Sequence, residues 1–163
     1  MNAANELQVV EFGMGGDVFA VPVAIVREIL DYAPPSPVPN GPAYFLGLTD
    51  VRGQGVATLD LRRRLGFPPA EASLATRILI LDLAQQGSAL TLGVVVDRVL
   101  SVTSFETAAI ETPPEIGVAW SSDYLLGVVR REGGFILLVD IAAIFTGTEA
   151  ASLALSALVP TGT

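Results

Sequence analysis

Two stretches of this chain lie on each other without a gap: YFLGLTDVRGQGVATLDLRRRL (44–65) and YLLGVVRREGGFILLVDIAAIF (124–145). Tyr44 falls on Tyr124, Leu46 on Leu126, Gly47 on Gly127, Gly53 on Gly133 and Asp60 on Asp140, a constant offset of 80. Upstream, IVREIL (25–30) matches VVDRVL (95–100) at an offset of 70, and the longer connection SVTSFETAAIETPPEIGVAW absorbs the difference. Within 163 residues each copy is too small to bury much surface alone, so the two are expected to pack together. The repeat predicts one domain over residues 1–148, made of two β-barrel halves at about 6–73 and 74–148 and joined through PPAEASLA (68–75). The Ala/Leu-rich residues 149–163 read as a tail, helical or disordered.

Both copies read as β. Period-2 or continuous apolar runs occur at LQVVEF (7–12), VFAVPV (18–23), VATLDL (56–61), TRILILDL (76–83), LTLGVVV (90–96) and GFILLVDI (134–141), with Gly and Pro as punctuation. Helical spacing is short, over Val23–Ile29, Leu61–Leu65 and Ile141–Phe145, with a weaker stretch at Glu149–Leu158. Many short strands with regular turns predict an all-β fold of barrels or sandwiches. No apolar run approaches the roughly 18–20 residues that span a bilayer. The N-terminal MNAANELQ has neither the basic nor the apolar part of a signal peptide, so a cytoplasmic location is expected.

The residue types that are absent narrow the chemistry. The chain has no Cys and no His, which removes thiol nucleophiles, thiolate metal sites and the commonest general base. All nine basic residues are Arg, so Schiff-base chemistry and a P-loop lysine are also excluded. A net charge of −8 is opposite in sign to that of a nucleic-acid binder. No cofactor or metal is expected. An enzyme would have to work with carboxylates, hydroxyls and arginines alone, and the one alternative of that class is a hydrolase using Asp50 and Asp60. The Asp-Thr/Ser-Gly context of aspartic proteases is missing, and a binding protein is the expectation.

The repeat acts as a control inside the sequence. Asp60 and Asp140 both precede an apolar pair at i, i+4 spacing, and an Asp there can accept hydrogen bonds from free N–H groups at a helix start. Gly53 and Gly133 sit in the hairpin tips RGQG and REGG, where positive φ is commonly needed, and Gly47 and Gly127 mark a bend or close backbone approach. These six positions are structural. Arg62, Arg63 and Arg64 fall on Ala142, Ala143 and Ile144, so the fold does not require them; they are expected on a solvated face, with a contact to an acidic partner as the alternative. Arg52 falls on Glu132 and is equally surplus, at an exposed tip where a planar guanidinium suits protein recognition.

The order FAVPVAIVREIL, Tyr32, VPNGPAYFLGLTDVRG, DLRRRLG, LTLGVVVDRV, YLLGVV and ILLVDI resembles the CheW-type chemotaxis coupling (adaptor) proteins over about 7–147. The resemblance implies two packed five-stranded SH3-like barrels and no catalysis. It implies as partners the cytoplasmic tip of methyl-accepting chemotaxis receptors and the regulatory domain of the histidine kinase CheA, at receptor arrays on the inner face of the membrane. Carried over residue by residue, the Arg of the family's Asn-Leu-Arg-Gly motif is Arg52 and the Glu of its Val-x-Glu-Ile element is Glu28, both associated with the receptor-facing groove; Val38 and Asn40 lie in the matching loop. The motif's Asn is replaced by Asp50, which sets a negative charge beside Arg52, and with Glu28, Val38, Asn40 and Arg52 it is expected among the receptor- or kinase-binding residues. An adaptor of a non-flagellar chemosensory pathway, serving pili or development, is the other reading of the same resemblance.

Overall fold

The computed structural model describes residues 5–85, 88–112 and 124–145. In chain order these form β1 (Glu6–Met14), β2 (Asp17–Pro22), β3 (Val26–Asp31), β4 (Phe45–Val51), β5 (Gln54–Asp60), α1 (Leu61–Leu65), β6 (Arg77–Gln85), β7 (Ser88–Val96), β8 (Arg98–Glu106), β9 (Ile110–Glu111), β10 (Leu125–Arg131), β11 (Gly134–Val139) and α2 (Ile141–Phe145). The six apolar runs all become strands. The stretch Val23–Ile29 does not become a helix: only Val23–Ile25 makes a single 3₁₀ turn, and β3 follows. Its residues alternate in burial and pair with β6, and Val26 and Ile29 are β-branched, so tertiary pairing overrides the helical spacing. The stretch Glu149–Leu158 lies outside the described residues.

Two sheets result, ordered β8-β1-β2-β11-β10-β9 and β3-β6-β7-β5-β4. They curl into two packed SH3-like barrels of five main strands, the two-residue β9 adding a short sixth to the first. Strand alternation sends side chains to three cores. From β1, Val10, Phe12 and Met14 enter the core between the barrels while Val9 enters the first barrel. From β6, Leu79, Leu81 and Leu83 enter the shared core while Ile78 and Ile80 enter the second barrel.

The barrels are not the two halves of the sequence. The hairpin β1–β2 of the first copy sits between β8 and β11 of the second, and β6–β7 of the second copy sits between β3 and β5 of the first. β2 leads into β3 through three residues, and β7 into β8 through Asp97 alone. Links this short could equally close an antiparallel hairpin, as the two residues between β1 and β2 do, so the exchange is held by the long-range pairings of β1 with β8, β2 with β11, β3 with β6 and β5 with β7.

The offset of 80 holds in three dimensions. A β-bulge lies at Phe45/Gly47 and at Leu125/Gly127, and the amides of Asp60 and Asp140 donate to the carbonyls of Tyr44 and Tyr124 at 2.7 and 2.8 Å. The offset of 70 does not hold. The bulged residue of β3 is Arg27 and that of β8 is Leu100, whereas the sequence match sets Arg27 on Asp97, three residues away. Both stretches are apolar enough to slide past each other in a sequence comparison.

Asp60 Oδ1 accepts from the amides of Arg62 and Arg63 at 3.0 and 3.4 Å, and Asp140 Oδ1 from that of Ala143 at 3.1 Å. At Gly47 (φ 135) a Cβ would run into the carbonyl of Ser36, whose segment bridges to Leu48; at Gly127 it would meet Ile110 and the Glu111 carbonyl. The outer edges of β4 and β10 are thus met in the same way by the chain that precedes each strand.

Candidate partner-binding site

The β4–β5 hairpin closes through two residues, Arg52 (φ 53) and Gly53 (φ 84), the consecutive positive values of a type I′ turn. Asp50 Oδ1 accepts a hydrogen bond from the Gly53 amide at 2.9 Å. Arg52 reaches Glu28 on β3 with both its Nη2 (3.0 Å) and its Nε (3.4 Å). Since β3 and β4 are the outer strands of the second barrel's sheet, this pair links its two edges. The Arg52 side chain stays 80% exposed while Glu28 is 24% exposed, so the arginine is held from beneath and open above. The Glu28 hydrogen bond, and then its charge, hold Arg52 more firmly protonated than an ordinary arginine. Val38 and Asn40 (φ 69) are exposed on the connection between β3 and β4, beyond the Ser36 bridge.

The arginine triplet separates into three roles. Arg62 donates from Nε and Nη2 to Asp97 at 2.9 and 2.8 Å and from Nη1 to the Pro68 carbonyl. Asp97 also accepts from the Gly15 amide at 2.6 Å; burial pushes its carboxyl up, and the Arg62 hydrogen bond, the Gly15 amide and the charges of Arg62 and Arg98 override this and hold it below 3.8. Arg64 donates to the Tyr124 hydroxyl at 2.6 Å and lies over the rings of both Tyr44 and Tyr124. Only Arg63 faces solvent, near Asp60 at 3.6 Å. The expectation of a solvated face therefore fails for Arg62 and Arg64, because a five-residue helix leaves most of its side chains within reach of neighbouring loops and the other barrel.

One ionic site was not anticipated. Glu11 on β1 is 1% exposed and forms a two-pronged pair with Arg131, both contacts at 2.7 Å. The Arg131 hydrogen bond lowers the Glu11 carboxyl below 4.5 against the opposing effect of burial, with further help from Thr103 and the Arg131 charge. The signal lay in the sequence as an acid amid the apolar run LQVVEFGM, at a position that alternation turns inward. Beside β1 and β8 of the first barrel and the 3₁₀ turn after β2, a groove of about 480 Å³ is lined by Glu6, Leu7, Gln8, Val23, Ala24 and Ser104. Gln8 pairs there with Ser104, whereas the related pair on the other side is Arg77 and Asp31, an ion pair at 3.5 Å. Among the described residues no cluster of acidic side chains is arranged to hold a metal, and no helix is long and apolar enough to cross a membrane.

Residues 8–149 match the family model described as the CheW-like domain. The chain belongs to the CheW-like family. The chemotaxis protein CheW of Rhizobium meliloti is 29% identical over 153 residues, covering 91% of this chain and 96% of that protein. Protein FrzA of Myxococcus xanthus is 34% identical over 122 residues, covering 75% and 73%. The crystal structure of the scaffolding protein TtCheW from Thermoanaerobacter tengcongensis superimposes with a TM-score of 0.77 at 21% identity, over 88% of this chain and 90% of that one, which establishes the common fold. CheW-like proteins are a family of scaffolds and adaptors, and this chain is a chemotaxis adaptor of that kind.

Proposed function

We propose that this chain couples the cytoplasmic tips of methyl-accepting chemoreceptors to the regulatory domain of the histidine kinase CheA, by binding alone and with no catalysis of its own. The observation that carries this is Arg52: exposed at a hairpin tip, oriented by Glu28, and absent from the equivalent tip, where the residue is Glu132. Glu28, Val38 and Asn40 complete a receptor-facing surface on the same barrel, and the groove beside the 3₁₀ turn that leads into β3 would take an apolar flank of a helical tip. Barrel-edge and barrel-end surfaces are left for a kinase domain of similar fold. In this role the chain is recruited to receptor arrays at the inner face of the membrane.

The test is binding of Arg52→Ala and Arg52→Glu to a receptor signalling fragment and separately to CheA. Receptor affinity should fall roughly tenfold, more for the charge reversal, with thermal stability and CheA binding kept. Parallel loss of stability and of both interactions would overturn the assignment. The likeness to FrzA supports a second reading, an adaptor of a non-flagellar pathway. A pull-down from native extract separates the two by the receptor and kinase recovered.

A further inference from the structure

We propose that Asp50 is a positioning residue for Arg52 and not itself a contact to the partner; this rests on the reading of Arg52 as the receptor-facing group. An L-residue such as Arg enters the left-handed region only against steric resistance, yet Arg52 sits there at φ 53. What closes the turn over it is the Asp50 carboxylate, which accepts from the Gly53 amide at 2.9 Å and so spans the residue in question. The left-handed conformation swings the Arg52 side chain back across the tip to β3, where Nη2 and Nε meet Glu28 at 3.0 and 3.4 Å. With that edge of the guanidinium engaged, Nη1 is the edge presented outward, suited to a carbonyl or carboxylate at the end of a helical hairpin.

The other copy of the repeat is the control. Arg130 stands in place of Asp50, and its side chain turns to Glu111 at 2.7 Å and lies over Phe135, leaving the tip without a carboxylate on the Gly133 amide. There the residue before the glycine, Glu132, does not adopt positive φ, and Gly133 alone does, at φ 85. The left-handed arginine therefore goes with the aspartate two residues before it, and the hairpin closes without either. Asn keeps the acceptor oxygen that the turn needs, and Ala does not.

The test compares Asp50→Asn and Asp50→Ala in the full chain. The first readout needs no partner: the Arg52 Nε–Hε resonance, which reports the contact with Glu28, should persist in wild type and Asp50→Asn and be lost or averaged in Asp50→Ala. The second is affinity for the receptor fragment, expected within about twofold of wild type for Asn and roughly fivefold weaker for Ala, with unchanged thermal melts. An Asp50→Ala chain that keeps the resonance, or an Asn variant that loses it, overturns the proposal. Failure of the wild-type chain to bind receptor would sink the functional reading instead, and the resonance would still decide the role of Asp50.

Discussion

At the tip of the β4–β5 hairpin an arginine points out of its barrel, and at the tip of the β10–β11 hairpin an arginine points in. The two differ by one step along the strand: Arg131 stands where the other copy has Val51, and Glu132 where it has Arg52. One step changes the face on which a strand residue lies, and with it the residue's fate. Val51 joins Ile80 and Leu30 in an apolar barrel end. Arg131 instead meets Glu11, which occupies the place of Ile80, as the pairings Glu11–Ala20–Leu138 and Ile80–Gly93–Thr58 show. Thr103, which helps to hold the Glu11 carboxylate, takes the place of Leu30 by the matched bulges. The same frame is thus sealed once by an apolar trio and once by an ionic one. An arginine turned inward is consumed by the fold, and one turned outward stays available to a partner.

The comparison breaks most readily at the inward pair. Arg131→Leu leaves Glu11 buried without its cation and should cost about 3 kcal/mol in urea unfolding, the low end for such pairs because Arg131 is half open to water. The double change Glu11→Ile with Arg131→Val, which copies the other barrel, should restore stability to near wild type or above it. A single variant as stable as wild type would show that the two barrel ends are not alternatives of the kind described.

Acid gives a smaller effect with a defined sign. The Glu11 carboxyl is held below its ordinary 4.5, so the stability it contributes is fully present above that value and is lost as pH falls through its folded pKa. Asp97, held below 3.8, acts in the same direction in a lower window. Melting temperature should drop on acidification below pH 4.5, and the Glu11→Ile/Arg131→Val chain should lose the upper part of that drop. Identical acid limbs would detach Glu11 from the effect. The smallest expected change is that of Arg52→Gly, which removes the outward side chain and relieves the left-handed backbone at once. It should leave stability unchanged or raise it by up to about 1 kcal/mol while receptor binding falls, a divergence that a structural arginine would not show.

The features that could be read from the sequence were those fixed by local chemistry. The turn glycines, the capping aspartates and the register of residues 44–65 on 124–145 each depend on a few neighbours, and all are found in place. The Arg52–Glu28 pair was accessible only through family resemblance, since 24 residues separate the two and no local rule joins them. The exchange of hairpins between copies depends on pairings between strands far apart in sequence, which alternation alone does not specify. The roles of Arg62 and Arg64 depend on Asp97 and Tyr124, supplied by the other copy. A charge beside an apolar pair on a short helix looks free until the neighbouring barrel is known.

The exchanged hairpins also set an order of events during synthesis. β1 emerges early, yet its partner on one side is β8, and β2 waits longer still for β11. The second barrel can close once β7 has appeared, but the first cannot close until nearly the whole described chain has left the ribosome. Pairings of such long range make for slow folding and expose unpaired strand edges in the interval. A chain cut after the first copy would present β1–β2 with neither of its outer neighbours, a surface open to aggregation and of no use as half an adaptor.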